Sequence, residues 1–70
     1  MKYLIVIEKT RTGYLAYLPD LDGCVAAGRS RPAVEKTMRG ALELHLEALR
    51  ADGHRVPRPR STSAYVDISA

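Results

Sequence analysis

Two short apolar segments near the start of the chain predict a β-hairpin. In Lys2–Glu8 both alternating sets of side chains are mainly apolar, which indicates a strand that is covered on both faces and favours a central position in a sheet. Tyr14–Leu18 has the composition of a second strand, and the polar link Lys9–Gly13 ends in glycine, as hairpin loops often do. We therefore expect these two strands to pair antiparallel.

A turn and a third short strand follow. Pro19–Gly23 contains a proline, two aspartates and a glycine, each of which favours a turn for its own physical reason. Cys24–Gly28 is small and apolar, which is compatible with a strand whose light side chains allow a helix to pack closely. The sequence thus predicts three strands before the first helix.

A long amphipathic helix is predicted from Ser30 to about Asp52. Ser30 is a typical N-cap, Pro32 falls in the first turn where a missing N–H costs little, and Gly53 is the expected C′ residue. At 100° per residue the apolar stripe of this helix consists of Val34, Met38, Ala41, His45 and Leu49. One such helix covers one face of a small sheet.

The end of the chain predicts a connector and a last strand. Alternate prolines in Val56–Ser61 exclude a helix and favour an extended conformation. Ala64–Ser69 alternates between apolar and polar positions, which predicts a strand half-buried through Val66 and Ile68. The order is β-β-β-α-β, an α+β fold with a single sheet and one long helix on one face. The other face is expected to be covered by another chain.

Length and composition restrict the chain to one small domain, residues 1–70. Its longest strongly apolar run has five residues, whereas a membrane-spanning helix needs roughly 20, so a cytoplasmic protein is expected. Chains of this size gain little stability from one core, which favours a dimer or larger homo-oligomer. The sequence also contains no Asn or Gln, which hints at a thermophilic source.

Candidate chemical groups are few, and each has a simpler structural interpretation. Asp20 and Asp22 could hold a metal ion, but aspartates also stabilise turns, and the turn is favoured. Cys24 could be a nucleophile, yet small apolar neighbours favour a buried packing role. For His45 on the apolar stripe we favour a packed side chain, and for His54 a solvent-exposed one. We therefore expect no catalytic residue, no metal site and no cofactor.

The net charge is +3, and part of the excess is concentrated after the helix. Arg55, Arg58 and Arg60 could contact the phosphates of RNA, or they could simply be solvated in a loop, and the second interpretation is favoured. The charge pattern therefore keeps RNA binding open as an alternative.

Several motifs, in their order and spacing, resemble the N-terminal domain of HicB-type antitoxins. In that family the second strand begins with Gly-Tyr and is followed by Pro-Asp-Leu-x-Gly-Cys. A Gly then precedes a leucine-rich helix capped by Ser or Thr, and Gly followed by Ile/Val-Pro-x-Pro comes after the helix. The matching positions here are Gly13-Tyr14, Pro19–Cys24, Gly28 with Ser30, Leu42–Leu49, Gly53, Val56-Pro57 and Pro59. The resemblance runs from about residue 3 to residue 61.

The resemblance implies a partial ribonuclease-H-like or double-stranded-RNA-binding-like arrangement, and a function. HicB proteins bind and mask HicA, a small toxin that cleaves messenger RNA, and usually carry a further DNA-binding domain. The sequence ends at Ala70 without such a domain, so we expect no direct DNA binding by this chain. Since aromatic and charged side chains often anchor interfaces, the expected partner-binding residues are Tyr14, Tyr17, Asp20 and Asp22.

Overall fold

The computed structural model describes residues 1–69 and contains three strands followed by one helix. Strand β1 is Val6–Lys9, β2 is Tyr14–Tyr17, β3 is Val25–Gly28 and helix α1 is Arg31–Ala51. The strands form one antiparallel sheet in the order β1-β2-β3. The predicted α+β class, with one long helix on one face of the sheet, is confirmed.

Tight loops connect the strands. In the β1–β2 hairpin, the Thr10 N–H donates to the Gly13 carbonyl oxygen at 2.8 Å, and the Gly13 N–H donates to Thr10 Oγ1 at 3.1 Å. In the second turn, Gly23 has φ +79, a left-handed conformation that glycine adopts without a steric penalty. Both predicted turns are therefore present.

Capping groups determine where α1 begins and ends. The Ser30 hydroxyl oxygen accepts a hydrogen bond from the Ala33 N–H at 3.2 Å, as predicted for an N-cap. At the other end, the His54 N–H donates to the Leu49 carbonyl and the Gly53 N–H to the Arg50 carbonyl, with Gly53 at φ +75. This pair of bonds is a Schellman motif, which confirms the predicted stop at Gly53.

The core lies between α1 and one face of the sheet. Gly28 allows the close approach, because a Cβ at this position would lie only 2.9 Å from the backbone nitrogen of Val34. The side chains of Val34 and Met38 on α1 are buried, and the alternating residues Ala16 and Ala26 face them from the sheet. The buried set is Ala16, Leu18, Leu21, Cys24, Ala26, Val34 and Met38.

Two sequence predictions about the strands are wrong. The central position predicted for Lys2–Glu8 fails because β1 begins only at Val6 and lies at an edge, with β2 as its neighbour in the sheet. The fourth strand predicted at Ala64–Ser69 also fails, since within residues 1–69 the structure has no strand after β3. Alternation describes which side chains could share a face, but a strand also needs a partner for its backbone hydrogen bonds.

The chain after α1 has two parts, named here the connector (residues 55–61) and the tail (residues 62–69). Neither contains helix or strand. The connector has no helix, as its alternate prolines predicted, whereas the tail leaves all of its side chains exposed. None of the helical structure in residues 1–69 combines the length and apolar character that crossing a membrane requires.

Candidate interaction surface

The outer face of the sheet, opposite α1, is open and largely apolar. Strand register places Val6, Tyr17 and Val25 side by side across the three strands. Val25 is 63% exposed and Tyr17 is 38% exposed, and Leu15 lies on the same face with similar exposure. Because α1 covers only the other face, this outer face is available to a second protein.

Tyr14 and Tyr17 lie on opposite faces of the sheet. Tyr14 is half-buried and packs against the core on the helix side, next to the buried Ala16 two positions along the strand. Tyr17 points to the outer face. Their separation of three positions puts them on different sides of a strand because side chains alternate with a period of two.

Asp20 connects the β2–β3 turn to the connector. One oxygen of its carboxylate accepts hydrogen bonds from the backbone N–H groups of Arg60, at 2.9 Å, and Ser61, at 3.0 Å. The other oxygen accepts from the Ser61 hydroxyl at 2.6 Å. These bonds favour the ionised carboxylate, and the Ser61 hydroxyl and the two backbone groups together lower the pKa of Asp20.

This contact is not predictable from the sequence, because Asp20 and Ser61 are far apart in the chain. The neighbouring prolines at 57 and 59 have no N–H to donate, so Arg60 and Ser61 supply the first pair of consecutive donors after them. A second contact holds the other end of the connector, where the Tyr3 hydroxyl donates to the Pro57 carbonyl oxygen. Asp20 therefore has a structural role within this chain.

Asp22 and His45 lie at the same end of the molecule as the Asp20 contact. Asp22 is exposed, and the half-buried His45 lines a shallow depression with Asp20, Asp22 and Pro57. Within the described part of the chain, no three His, Cys, Asp or Glu side chains come together in a group that could hold a metal ion. Asp22 thus has an exposed carboxylate in the turn between β2 and β3.

Cys24 is a packing residue, as the sequence analysis favoured. Its side chain is buried, and its thiol lies 3.6 Å from the Met38 sulfur. Burial raises the pKa of the Cys24 thiol, which disfavours the reactive thiolate.

The three arginines of the connector are exposed. Arg55 and Arg58 lie in the connector, and Arg60 is held through its backbone N–H while its side chain remains at the surface. The structure therefore places three positive charges along a short, anchored segment.

Comparisons with known proteins agree with this geometry. The family model described as the HicB-like antitoxin of bacterial toxin–antitoxin systems matches residues 3–69. Among solved structures, a chain of the HicA3 and HicB3 toxin–antitoxin complex is similar at a TM-score of 0.71 and 38% identity, with 84% of this chain and 70% of that chain covered. The crystal structure of the antitoxin HicB3 is similar at a TM-score of 0.72 and 38% identity, with coverage of 86% and 44%.

A curated relative extends the comparison beyond solved structures. A 14.9 kDa protein from the rep-hol intergenic region of Haemophilus phage HP1 is 30% identical over 67 residues, which is 96% of this chain and 50% of that protein. The chain thus spans about half the length of this relative. Together with the match to the family model over nearly every residue, these similarities show that the chain belongs to the HicB-like antitoxin family.

Proposed function

We propose that this chain is an antitoxin that binds a HicA-type toxin, a small protein that cleaves messenger RNA, and masks it. The observation that carries the proposal is the similarity, at 38% identity, to a chain of the HicA3 and HicB3 toxin–antitoxin complex. Masking requires a surface that fits the toxin and no chemical step. The proposed activity is therefore binding, and the chain needs no catalytic residue for it.

The outer face of the sheet is the surface that suits this role best. Tyr17 is partly exposed in the middle strand, with the exposed Val25 beside it, and buried aromatic side chains often dominate binding energy at interfaces. Asp22 adds an exposed negative charge at the turn that joins β2 to β3. A carboxylate there would attract a basic, RNA-binding partner and help to orient it.

The four expected partner-binding residues differ in what they can offer to such a partner. Tyr17 is partly exposed on the outer face, and Asp22 is exposed in the turn between β2 and β3. Tyr14 packs against the core, and the Asp20 carboxylate already accepts three hydrogen bonds. We therefore propose that Tyr17 and Asp22 contact the partner directly. Tyr14 and Asp20 would instead stabilise the conformation of the surface.

The test combines capture of the partner with a growth assay. The tagged native chain is purified from its own cells, and a co-purifying HicA-type protein is identified by mass spectrometry. That protein is then expressed in a heterologous host, where the wild-type chain should restore growth. Tyr17→Asp should weaken the complex by about thirtyfold, as expected for an interface anchor, and should abolish protection.

Leu44→Asp is the matched control, because Leu44 is a large apolar side chain that is 69% exposed on α1, away from the outer face. This variant should protect as well as the wild type. Failure to recover a HicA-type protein, or full protection by Tyr17→Asp at equal expression, would contradict the proposed function or the proposed surface, respectively.

RNA binding is a second candidate function, favoured by the exposed Arg55, Arg58 and Arg60. Three neutralised phosphates on single-stranded RNA would give a slope of roughly −2 when the logarithm of affinity is plotted against that of salt concentration. The triple variant with alanine at these positions should lose this slope. No binding at low salt would eliminate this candidate without affecting the antitoxin proposal.

A further inference from the structure

The tail has the side-chain pattern of a strand, but no strand of the described chain pairs with its backbone. Tyr65 is fully exposed, and Val66 and Ile68 are 80% and 81% exposed. Three large apolar side chains within four residues form a patch that single domains rarely leave in water. The backbone of the tail has no strand partner either. The tail therefore carries both the apolar surface and the free backbone groups of an unpaired strand.

One edge of β1 also lacks a strand partner in the described chain. β1 pairs with β2 on one side, and its other side carries no strand within residues 1–69. Residues 4–7 are apolar on both faces and half-buried, which is the composition that predicted a central strand. An apolar edge of this kind is a template on which a further strand can pair. The edge of β3 is a poorer template, because its residues are mostly small.

The connector directs the tail to the β1 edge. Asp20 fixes the backbone of Arg60 and Ser61, and Tyr3, two residues before Ile5, holds Pro57. Residues 63–65 then line a groove together with residues 4–7. The tail thus begins at the β1 edge, but it forms no ladder there and its apolar side chains remain in solvent.

The dimensions of the molecule exceed those of a compact chain of the same length. Its radius of gyration is 14.0 Å, whereas a compact chain of 70 residues has about 11 Å. Its longest dimension is 50 Å, although a helix of 21 residues accounts for only about 32 Å. A single copy of the chain is therefore less compact than a globular chain of this length.

The exposed area is sufficient for a dimer. The accessible surface is 6026 Å², about 1,700 Å² more than the ~4,300 Å² of a compact monomer of 7.7 kDa. A standard stable interface removes about 800 Å² from each partner. The excess surface of one chain is therefore larger than what a stable dimer must bury.

We propose that the tail of one copy of this chain pairs as an added strand on the free edge of β1 in a second copy, and that the exchange is reciprocal. A two-fold arrangement pairs both the tail and the free β1 edge of each copy, because each copy supplies one tail and one edge. β1 then becomes the central strand that its composition predicts. This dimer does not depend on a toxin and leaves the outer face of the sheet open.

The first test measures the mass of the full chain by size-exclusion chromatography with light scattering, without any toxin. The wild type should have twice the mass of one chain. The double variant Val66→Asp, Ile68→Asp should raise the dissociation constant of the dimer by about a hundredfold and elute as a monomer. Circular dichroism should show an intact helix in this variant, since neither side chain is buried in the single chain.

Two matched variants separate the tail from other apolar surfaces. Leu44→Asp changes an exposed leucine on α1, and Val25→Asp changes an exposed valine on the outer face. Both should remain dimeric. A monomeric wild type would overturn the proposal, and so would a dimer that survives the tail substitutions or that Val25→Asp dissociates instead.

The second test distinguishes exchange between copies from pairing of a tail with its own β1. Glu8→Cys and Val66→Cys are made in separate molecules with different tags, mixed after brief unfolding and refolding, and treated with a short bismaleimide. A product that carries both tags supports the exchange. A double variant that forms only a crosslink within one chain, with no product between tags, would overturn it. The wild type provides the background, since its Cys24 is buried.

Discussion

The body of the molecule, residues 1–54, and the segment of residues 55–69 use similar amino acids in different ways. In the body, apolar side chains on α1 and on the sheet face one another. Gly28 allows the helix to approach the sheet closely, and Ser30 caps the helix start. In the tail, Val66 and Ile68 are as apolar as the core residues but remain in water. The contrast shows that an apolar pattern produces structure only where a second surface is available to receive it.

The largest expected difference between the two regions is in the cost of removing an apolar side chain. Met38 is 2% exposed in the core, so Met38→Ala should lower the free energy of unfolding by about 3 kcal/mol. That is most of the ~3–5 kcal/mol expected for a domain of this size. Ile68→Ala, measured in dilute solution where chains are monomeric, should change it by less than about 0.5 kcal/mol.

Chemical denaturation followed by circular dichroism measures both values. A loss of equal size in the two variants would contradict the comparison, because it would mean that the tail packs on the body of its own chain.

A second prediction concerns the close contact between α1 and the sheet. Substitution by alanine should change the stability of the domain in opposite directions at two glycines. Gly28→Ala places a Cβ 2.9 Å from the Val34 backbone nitrogen and should destabilise the domain by about 1–3 kcal/mol. At Gly40, in the middle of α1, an added Cβ has no atom within 4 Å. Gly40→Ala should therefore stabilise the domain by about 0.5–1 kcal/mol through helix propensity.

Thermal unfolding of the two variants provides the measurement. Destabilisation at both positions would contradict the inference that Gly28, in particular, is required for the close approach of the helix.

The same contrast explains what could be predicted from the sequence. The bounds of α1 were predicted to within about a residue, because Ser30 and Gly53 form local capping contacts that a linear sequence displays directly. The strand predicted at Ala64–Ser69 was wrong, because strand pairing depends on a neighbour that no local pattern identifies. Alternation over short distances is informative about faces but not about partners.

Long-range contacts were beyond the sequence analysis for a related reason. Nothing near Asp20 indicates that its carboxylate binds Arg60 and Ser61, which follow it by 40 and 41 positions. The period of two along β2 would place Tyr14 and Tyr17 on opposite faces, but the two were predicted together as one set of contacts without that distinction. The open outer face was predictable because one helix covers only one side of a sheet.

A third, smaller prediction compares serines in the two regions. Ser30→Ala removes the N-cap hydrogen bond to the Ala33 N–H and should lower the free energy of unfolding by about 1 kcal/mol. Ser63→Ala, in the exposed tail, should change it by no more than a few tenths of a kcal/mol. Urea denaturation measures both, and an equal effect of the two substitutions would contradict the assigned N-cap.

The last prediction concerns Asp20, which joins the two regions, and its effect should be local to the connector. Its ionised carboxylate accepts the bonds from Arg60 and Ser61, and its pKa is lowered in the folded chain. The attachment is therefore complete above the ordinary aspartate pKa of about 3.9 and is lost as the pH falls through the lowered value.

Nuclear magnetic resonance should show the Arg60 and Ser61 amide signals moving together in this acid range. Asp20→Asn should remove that titration and speed hydrogen exchange at both amides several-fold, whereas Asp22→Asn should leave both properties unchanged. If the two amides were equally protected in Asp20→Asn, the connector would be held by the Tyr3 contact and the prolines alone, and the tail would leave the body from a point that the carboxylate does not control.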